Sequence, residues 1–195
     1  MRKGERRKKQ ILDVCVQLLV EKGYSELSFR SVATRAGIQI GNLQYYFPTR
    51  ADLIRAMLTR EIDRYHSEFD DWGSDEKAQN PQDTLLKTID YLLGDQKTQN
   101  SCIVIWELWA LAAHDVDAAS LMNEYYQTYL SSMTELIRKM RLDLTPARAN
   151  RISLLIVAMI EGASLFRGYQ KPRIAATRGI EKDIKSAIIS LIENA

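Results

Sequence analysis

Between Ser28 and Arg50 the chain gathers side chains suited to holding a polar partner rather than to breaking bonds. The amides of Gln39, Asn42 and Gln44 can each donate and accept at once, the pattern that pairs with the exposed edge of adenine; Asn42 is the best placed, with Gln39 or Gln44 as alternatives. Arg30 follows Ser28, an N-cap type, and Arg50 follows Thr49, another. A cation at the start of a helix stands where the backbone dipole already favours an anion. Tyr45 and Tyr46 are adjacent, so about 100° apart on a helix, and cannot both be core. Gly41 adds no side chain beside Ile40 and lets the backbone come close to whatever it faces.

Two short helices must position these groups. Ser28 precedes apolar residues at helical spacing (Phe29, Val32, Ala33, Ala36), and Gly37 stands where the chain must turn with positive φ, which predicts a helix over 29–36. A second fits from Ile40 to Phe47, closed by Pro48. Helices this short do not stand alone in water. They need Val32, Ala33, Ile38, Leu43 and Phe47 packed on a preceding helix that carries Ile11, Cys15, Leu18 and Leu19 at the same period. Small Ala33 and Ala36 permit a steep crossing across a turn of about three or four residues, the helix-turn-helix arrangement.

Charge agrees with a polyanionic partner. The first fifty residues carry ten Lys/Arg against four Asp/Glu, and the remainder seventeen against twenty-one, so a basic first quarter (+6) leads a mildly acidic body (−4). Such an asymmetry is the footprint of a protein that presents one end to a nucleic acid. Arg2, Lys3, Arg6, Arg7, Lys8 and Lys9 read as a basic arm leading into the first helix, able to lie along a phosphate backbone. The arm and the apolar stretch after it imitate a secretion signal, but Asp13 and Gln17 interrupt the stretch and no small-residue cleavage site follows, so a cytoplasmic protein is expected. The longest clear apolar run, Leu154 to Ile160, falls short of the roughly 20 residues of a membrane span, and no membrane partner is expected.

From Gln10 to Leu53 the chain resembles the TetR-type, AcrR-like, bacterial transcriptional regulators. The likeness rests on Gly23-Tyr24, Leu27-Ser28, Val32-Ala33, Ala36-Gly37-Ile38, Gly41-Asn42-Leu43, Tyr45-Tyr46-Phe47, and Arg50 with Leu53. It implies an all-α fold: a three-helix DNA-binding domain over 1–50 with its helix-turn-helix, then a six-helix effector-binding and dimerisation domain over 51–195. It implies a double-stranded operator as partner, with Ser28, Arg30, Gln39, Ile40, Gly41, Asn42, Gln44, Tyr45, Tyr46 and Arg50 at the DNA. Tyr45 is implied to give its hydroxyl to a phosphate, with Tyr46 partly packed beneath. Ile40 departs from the polar residue frequent there and favours a thymine methyl, and Gln44 stands where Tyr is common.

Beyond residue 50 the pattern is helical throughout. A long fourth helix carries Leu53, Ile54, Met57, Leu58, Ile62, Tyr65 and Phe69 and reaches Trp72; a polar loop from Gly73 to Pro81 holds Ser74, Asp75, Glu76 and Asn80. Further helices are predicted over 82–94, 98–113, 117–141, 146–169 and 177–194. The last two carry Ile152, Leu155, Ile156, Met159, Ile160 and Ala163, then Ile180, Ile184, Ile188 and Leu191. These faces are broad enough to serve their own core and a second copy, giving a homodimer through a four-helix interface. The resemblance implies an effector pocket, and Trp106, Glu107, Trp109, Met122, Tyr125, Tyr126, Met159 and Phe166 are its expected walls. They suit a small apolar or cationic molecule, with Glu107 offsetting a cation. Aromatics at helical spacing also read as plain core, and Glu107 as a backbone anchor. Release would follow as a population shift in which the fourth helix swings and the recognition helices lose their spacing.

Catalytic apparatus is missing from the sequence: no G-x-S-x-G, phosphate-binding Gly loop or H-E-x-x-H occurs. His66 and His114 have no neighbours at metal-ligand spacing, Cys15 and Cys102 read as core thiols, and neither a metal nor a cofactor is expected. The competing classes, an enzyme in a helical fold and a helical interaction protein that does not touch DNA, explain the basic first quarter poorly.

Overall fold

A computed structural model describes residues 3–74 and 80–195, apart from the side chains of 65, 66 and 68–74. Arg2 of the basic arm, the side chains of Tyr65, His66, Phe69, Trp72 and Ser74, and Asp75 and Glu76 of the expected polar loop lie outside the described residues. Among the described residues there are nine α-helices and no strand: α1 (Lys3–Lys22), α2 (Phe29–Ala36), α3 (Ile40–Tyr46), α4 (Arg50–Ser74), α5 (Pro81–Asp95), α6 (Gln99–Ala112), α7 (Val116–Met140), α8 (Pro146–Arg167) and α9 (Ile180–Glu193). The all-α class is as the sequence predicts. The basic arm is not a tail but the opening turns of α1, which begins at Lys3. Helix α4 continues through Gly73 and Ser74, where a loop was expected. At the other end, α8 stops at Arg167 and α9 starts only at Ile180, after a 3-10 turn at Ala175–Thr177 and Gly179 at φ 78°.

The chain forms two compact units, Met1–Arg64 with Ile103–Asn123, and Tyr65–Cys102 with Glu124–Ala195. In the first, Ile11, Cys15, Leu18 and Leu19 of α1 close over Val32 and Ala33 of α2, Leu43 of α3, Phe47, and Leu53 and Met57 of α4; Val104, Leu108 and Leu121 complete the core. Each such side chain removed from water contributes roughly 1.5–3 kcal/mol, which is what holds two helices too short to persist alone. Burial drives the Cys15 thiol up to about 12, so it is inert filler.

In the second unit α5 packs on α8 and α9, and α8 on α9. Its core is Leu85, Ile89 and Leu93, Tyr129, Met133 and Ile137, Ile152, Ile156 and Ile160, and Ile188 and Ile192. Arg141 closes the end of α9, its Nη1 donating to the carbonyls of Ile192 (2.6 Å) and Glu193 (2.9 Å), a cation at the negative end of the helix. By length and composition α8 is apolar enough to cross a bilayer; counting only the uninterrupted run Leu154–Ile160 missed this. Its surplus is a stripe of exposed side chains, Leu154, Leu155, Ala158, Leu165 and Phe166, at helical spacing around Gly162.

Candidate nucleic-acid interface

The helix-turn-helix is built by three local devices. Ser28 and Ser31 form a reciprocal cap: Ser28 Oγ accepts the Ser31 amide at 3.2 Å, and Ser31 Oγ accepts the Ser28 amide at 3.0 Å. Gly37 ends α2 in the left-handed region at φ 64°, where the Ile38 amide reaches back to Ala33 O at 3.0 Å. Thr49 caps α4 with Asp52, which accepts both the amide and the hydroxyl of Thr49. Between the second and third devices lies α3, pinned by Leu43, which is 0 % exposed, and by buried Phe47.

That anchoring turns the rest of α3 outward. Gln39, Ile40, Gly41, Asn42, Gln44 and Tyr45 are all exposed, as are Ser28 and Arg30 on α2. Ile40 is 42 % and Tyr45 82 % exposed, far more than a core isoleucine or tyrosine retains. Tyr46 is half-buried against the core, and its ring meets Tyr45 edge-on at 5.2 Å. A Cβ built on Gly41 meets nothing within 4 Å, so the fold itself does not require glycine there. Lys3, Arg6, Arg7, Lys8 and Lys9 are exposed on the first turns of α1. Cations at the positive end of a helix dipole are disfavoured unless an anion lies nearby.

Arg50 has a more structural task than a phosphate contact alone. Its guanidinium lies 4.3 Å over the Tyr24 ring and donates to Leu27 O (2.8 Å), Tyr24 Oη (2.9 Å) and Tyr24 O (3.2 Å). These bonds tie the first residue of α4 to the 3-10 turn Tyr24–Glu26 that leads into α2. Glu107 differs from expectation too. Its Oε2 accepts the Tyr24 amide at 3.1 Å while Oε1 faces Gly23, which turns at φ 77°. This bond makes Glu107 a backbone anchor, the alternative open at the sequence level. A bidentate pair between Arg35 and Glu21 at 2.6–2.7 Å fastens α2 to α1. Sequence reading missed Tyr24, Glu21 and Arg35 as a set because their partners are distant in the chain.

The expected pocket residues divide between the units. Trp106, Glu107, Trp109 and Met122 belong to the first and Tyr125, Tyr126, Met159 and Phe166 to the second. Trp106, Trp109 and Met122 are half-buried, Met122 against the first unit's core. Phe166 is 63 % exposed on the α8 stripe, not enclosed within its unit. Tyr125 is buried with its ring 5.0 Å from that of Tyr126. The Tyr126 hydroxyl bonds Glu161, an acid the sequence reading did not single out. Loss of solvent pushes the Glu161 carboxyl up to about 7, against the lowering effect of that hydroxyl.

Two family models match this chain. The model of the tetR family of bacterial regulatory proteins matches residues 11–57, and that of the BetI-type transcriptional repressor C-terminal region matches 81–191, more than half the chain. The chain belongs to the TetR family. It is 29% identical over 162 residues to the HTH-type transcriptional regulator of the dhlA 5′ region of Xanthobacter autotrophicus, covering 80% of this chain and 77% of that one. The HTH-type transcriptional repressor KstR of Rhodococcus jostii is 34% identical over 79 residues, covering 40% of this chain and 35% of that one. Among solved structures, Salmonella enterica GusR has the same fold, with a TM-score of 0.80 at 14% identity, covering 99% of this chain and 98% of that one. A TetR transcriptional regulator from Legionella pneumophila superposes with a TM-score of 0.74 at 17% identity, over 94% and 95%. The protein is therefore a TetR-family helix-turn-helix DNA-binding regulator of transcription and not an enzyme, and the matched residues 11–57 contain the exposed residues of α2 and α3 described above.

Proposed function

We propose that this TetR-family regulator is a homodimeric repressor whose α3 reads an operator in cytoplasmic DNA and which a small effector releases. The observation that carries the DNA reading is the split in and around α3: Leu43 and Phe47 buried, Gln39, Ile40, Asn42, Gln44 and Tyr45 exposed. Asn42 reads an adenine, Ile40 touches a thymine methyl, and Gln39 and Gln44 are further candidates. Arg30, Ser28, Tyr45 and the α1 cations serve phosphates; Arg50 keeps two guanidinium N–H groups for the same use and otherwise holds Tyr24. Dimerisation is supported by the exposed α8 stripe, which a second copy's α8 and α9 would cover; a dimer that reads successive major grooves needs its two recognition helices about 34–36 Å apart. The expected effector residues Trp106, Trp109, Met122, Tyr125, Tyr126 and Met159 suit a small apolar or cationic molecule. An effector must favour the released state by ~3–5 kcal/mol to empty the operator.

Gel shift with operator obtained by in vitro selection, at two salt concentrations, tests the DNA reading. Arg30→Ala is expected to weaken operator and random DNA alike and to lower the salt slope by about one, while Asn42→Ala alters sequence preference. Unchanged binding to both DNAs by Arg30→Ala would sink this docking.

A further inference from the structure

The second unit carries a groove of about 660 Å³ along the connection between α8 and α9, a volume in the range of small-molecule sites. Five cations line it, Lys97, Arg167, Lys171, Arg173 and Arg178, against one carboxylate, Glu181. That carboxylate is already neutralised. It accepts from Lys97 Nζ at 2.7 Å and Arg167 Nε at 3.2 Å, and these partners hold it down to about 2. Arg167 is 5 % exposed and also donates to Leu93 O, so it is part of the wall. The surplus charge lies on Arg173 and Arg178. Among the described residues no ion pair engages the guanidinium of Arg173 or Arg178.

Residues 167–178 contain four Lys/Arg and no Asp/Glu, inside a region that is net acidic from residue 51 onward. The cluster therefore runs against the charge of its surroundings and has no part in the DNA-reading surface. Its backbone is fixed. The Tyr169 amide donates to Gln96 O at 3.0 Å and the Lys171 amide to Gly168 O at 3.1 Å. A Cβ on Gly168 would lie 2.5 Å from Ser164 O and 3.0 Å from Cys102 Sγ, so the turn admits only glycine. Gln170, at φ 57°, is the non-glycine residue the described backbone holds in the left-handed region, a conformation that costs energy and persists where its surroundings enforce it. Two unpaired guanidinium groups beside this frame match the oxygens of phosphate or carboxylate.

We propose that this groove is a binding site for a small polyanion, an organic phosphate or polycarboxylate, lined by none of the residues assigned to the operator or to the aromatic effector site. The inference does not depend on the operator reading, because none of its residues lies in the first unit.

Calorimetry on the full-length protein tests it, with pyrophosphate and citrate as probes at constant ionic strength. One of the two is expected to bind saturably, once per chain, and the better one assigns the phosphate or the carboxylate class. Arg173→Gln with Arg178→Gln should weaken that binding at least tenfold, and Arg173→Lys with Arg178→Lys should restore most of it. Arg30→Ala should leave it unchanged, since a polyanion sitting on the DNA face would be lost there instead. Operator affinity and melting temperature of the double Gln variant should equal those of wild type. The proposal is overturned if neither probe saturates, if the double Gln variant binds them as wild type does, or if that variant loses affinity for random DNA or for anionic vesicles, which would make the occupant a macromolecule.

Discussion

Replacing Gly41 by Ala separates what the fold wants from what DNA wants. Gly41 is the second residue of α3, is absent from the positive-φ positions, and has open space where a methyl would go. Glycine in a helix costs roughly 0.5–1 kcal/mol relative to alanine, and near a helix start the lower end applies. Gly41→Ala should therefore raise stability by about 0.5 kcal/mol, or about 1–2 °C in a chain of this size. On DNA the sign reverses. A methyl between Ile40 and Asn42 holds the backbone off the groove wall, and losing even one bidentate base contact costs about 1–3 kcal/mol, so operator affinity should fall about 10- to 100-fold. Urea unfolding and fluorescence anisotropy on the same preparations read both effects. Gly37→Ala is the contrast: its space is also open, but φ is 64°, so alanine should destabilise by about 1 kcal/mol through strain. Wild-type operator affinity in Gly41→Ala would refute the placement of α3 against DNA, and a loss of stability would refute the account of that position.

Glu107→Ala should leave the Tyr24 amide without its acceptor, at a cost of about 1–3 kcal/mol in urea unfolding and a several-fold loss of operator affinity, while Glu107→Gln, which keeps an acceptor, restores most of both. For Glu161, whose folded pKa of about 7 lies above its ordinary 4.5, the folded chain keeps a proton that the unfolded chain releases. Its contribution to stability is therefore full below about 4.5, falls as pH rises toward 7 and is level beyond, a change on the order of 3 kcal/mol at most; Glu161→Gln should flatten that part of the stability-pH profile. Leu155→Glu with Leu165→Glu, two exposed positions on α8, should convert a dimer to monomer in sedimentation with helix content unchanged, and a dimer that survives would exclude this face.

Where information is local, the sequence carried it. Helix α2 falls on the predicted residues because its start needs only Ser28 and its end only Gly37, and α3 ends within one residue of expectation because Pro48 forbids more. The errors fall where punctuation is ambiguous or partners are distant. A run of six cations reads as an arm ahead of the first helix, yet from Lys3 onward it is helical because the backbone ladder of α1 extends through it. Helix α9 was begun three residues early because Ala175–Thr177 forms a 3-10 turn of helical composition, separated from α9 by a left-handed Gly179. Arg50 and Tyr24 are 26 residues apart, and Glu107 and Tyr24 are 83 apart. No spacing rule reaches that far, so the grip of Arg50 and of Glu107 on Tyr24 lay beyond what the sequence shows.

Both contacts converge on one residue. Tyr24 has its amide held by Glu107 of α6 and its ring, hydroxyl and carbonyl held by Arg50 of α4, and Arg50 also holds Leu27 O, next to the Ser28 cap of α2. The segment from Gly23 to Ser28 therefore has little freedom of its own: its position is set by α4 and α6 together. At 3.1 Å the Glu107 contact has only a few tenths of an ångström in hand before it ceases to be a hydrogen bond, so a shift of α6 by about 1 Å either breaks it or drags Tyr24 along. Either outcome alters the cap that fixes α2, and α2 fixes α3 through the Gly37 turn. Coupling of this kind requires no flexible wire, only two rigid helices that share a grip on one tyrosine.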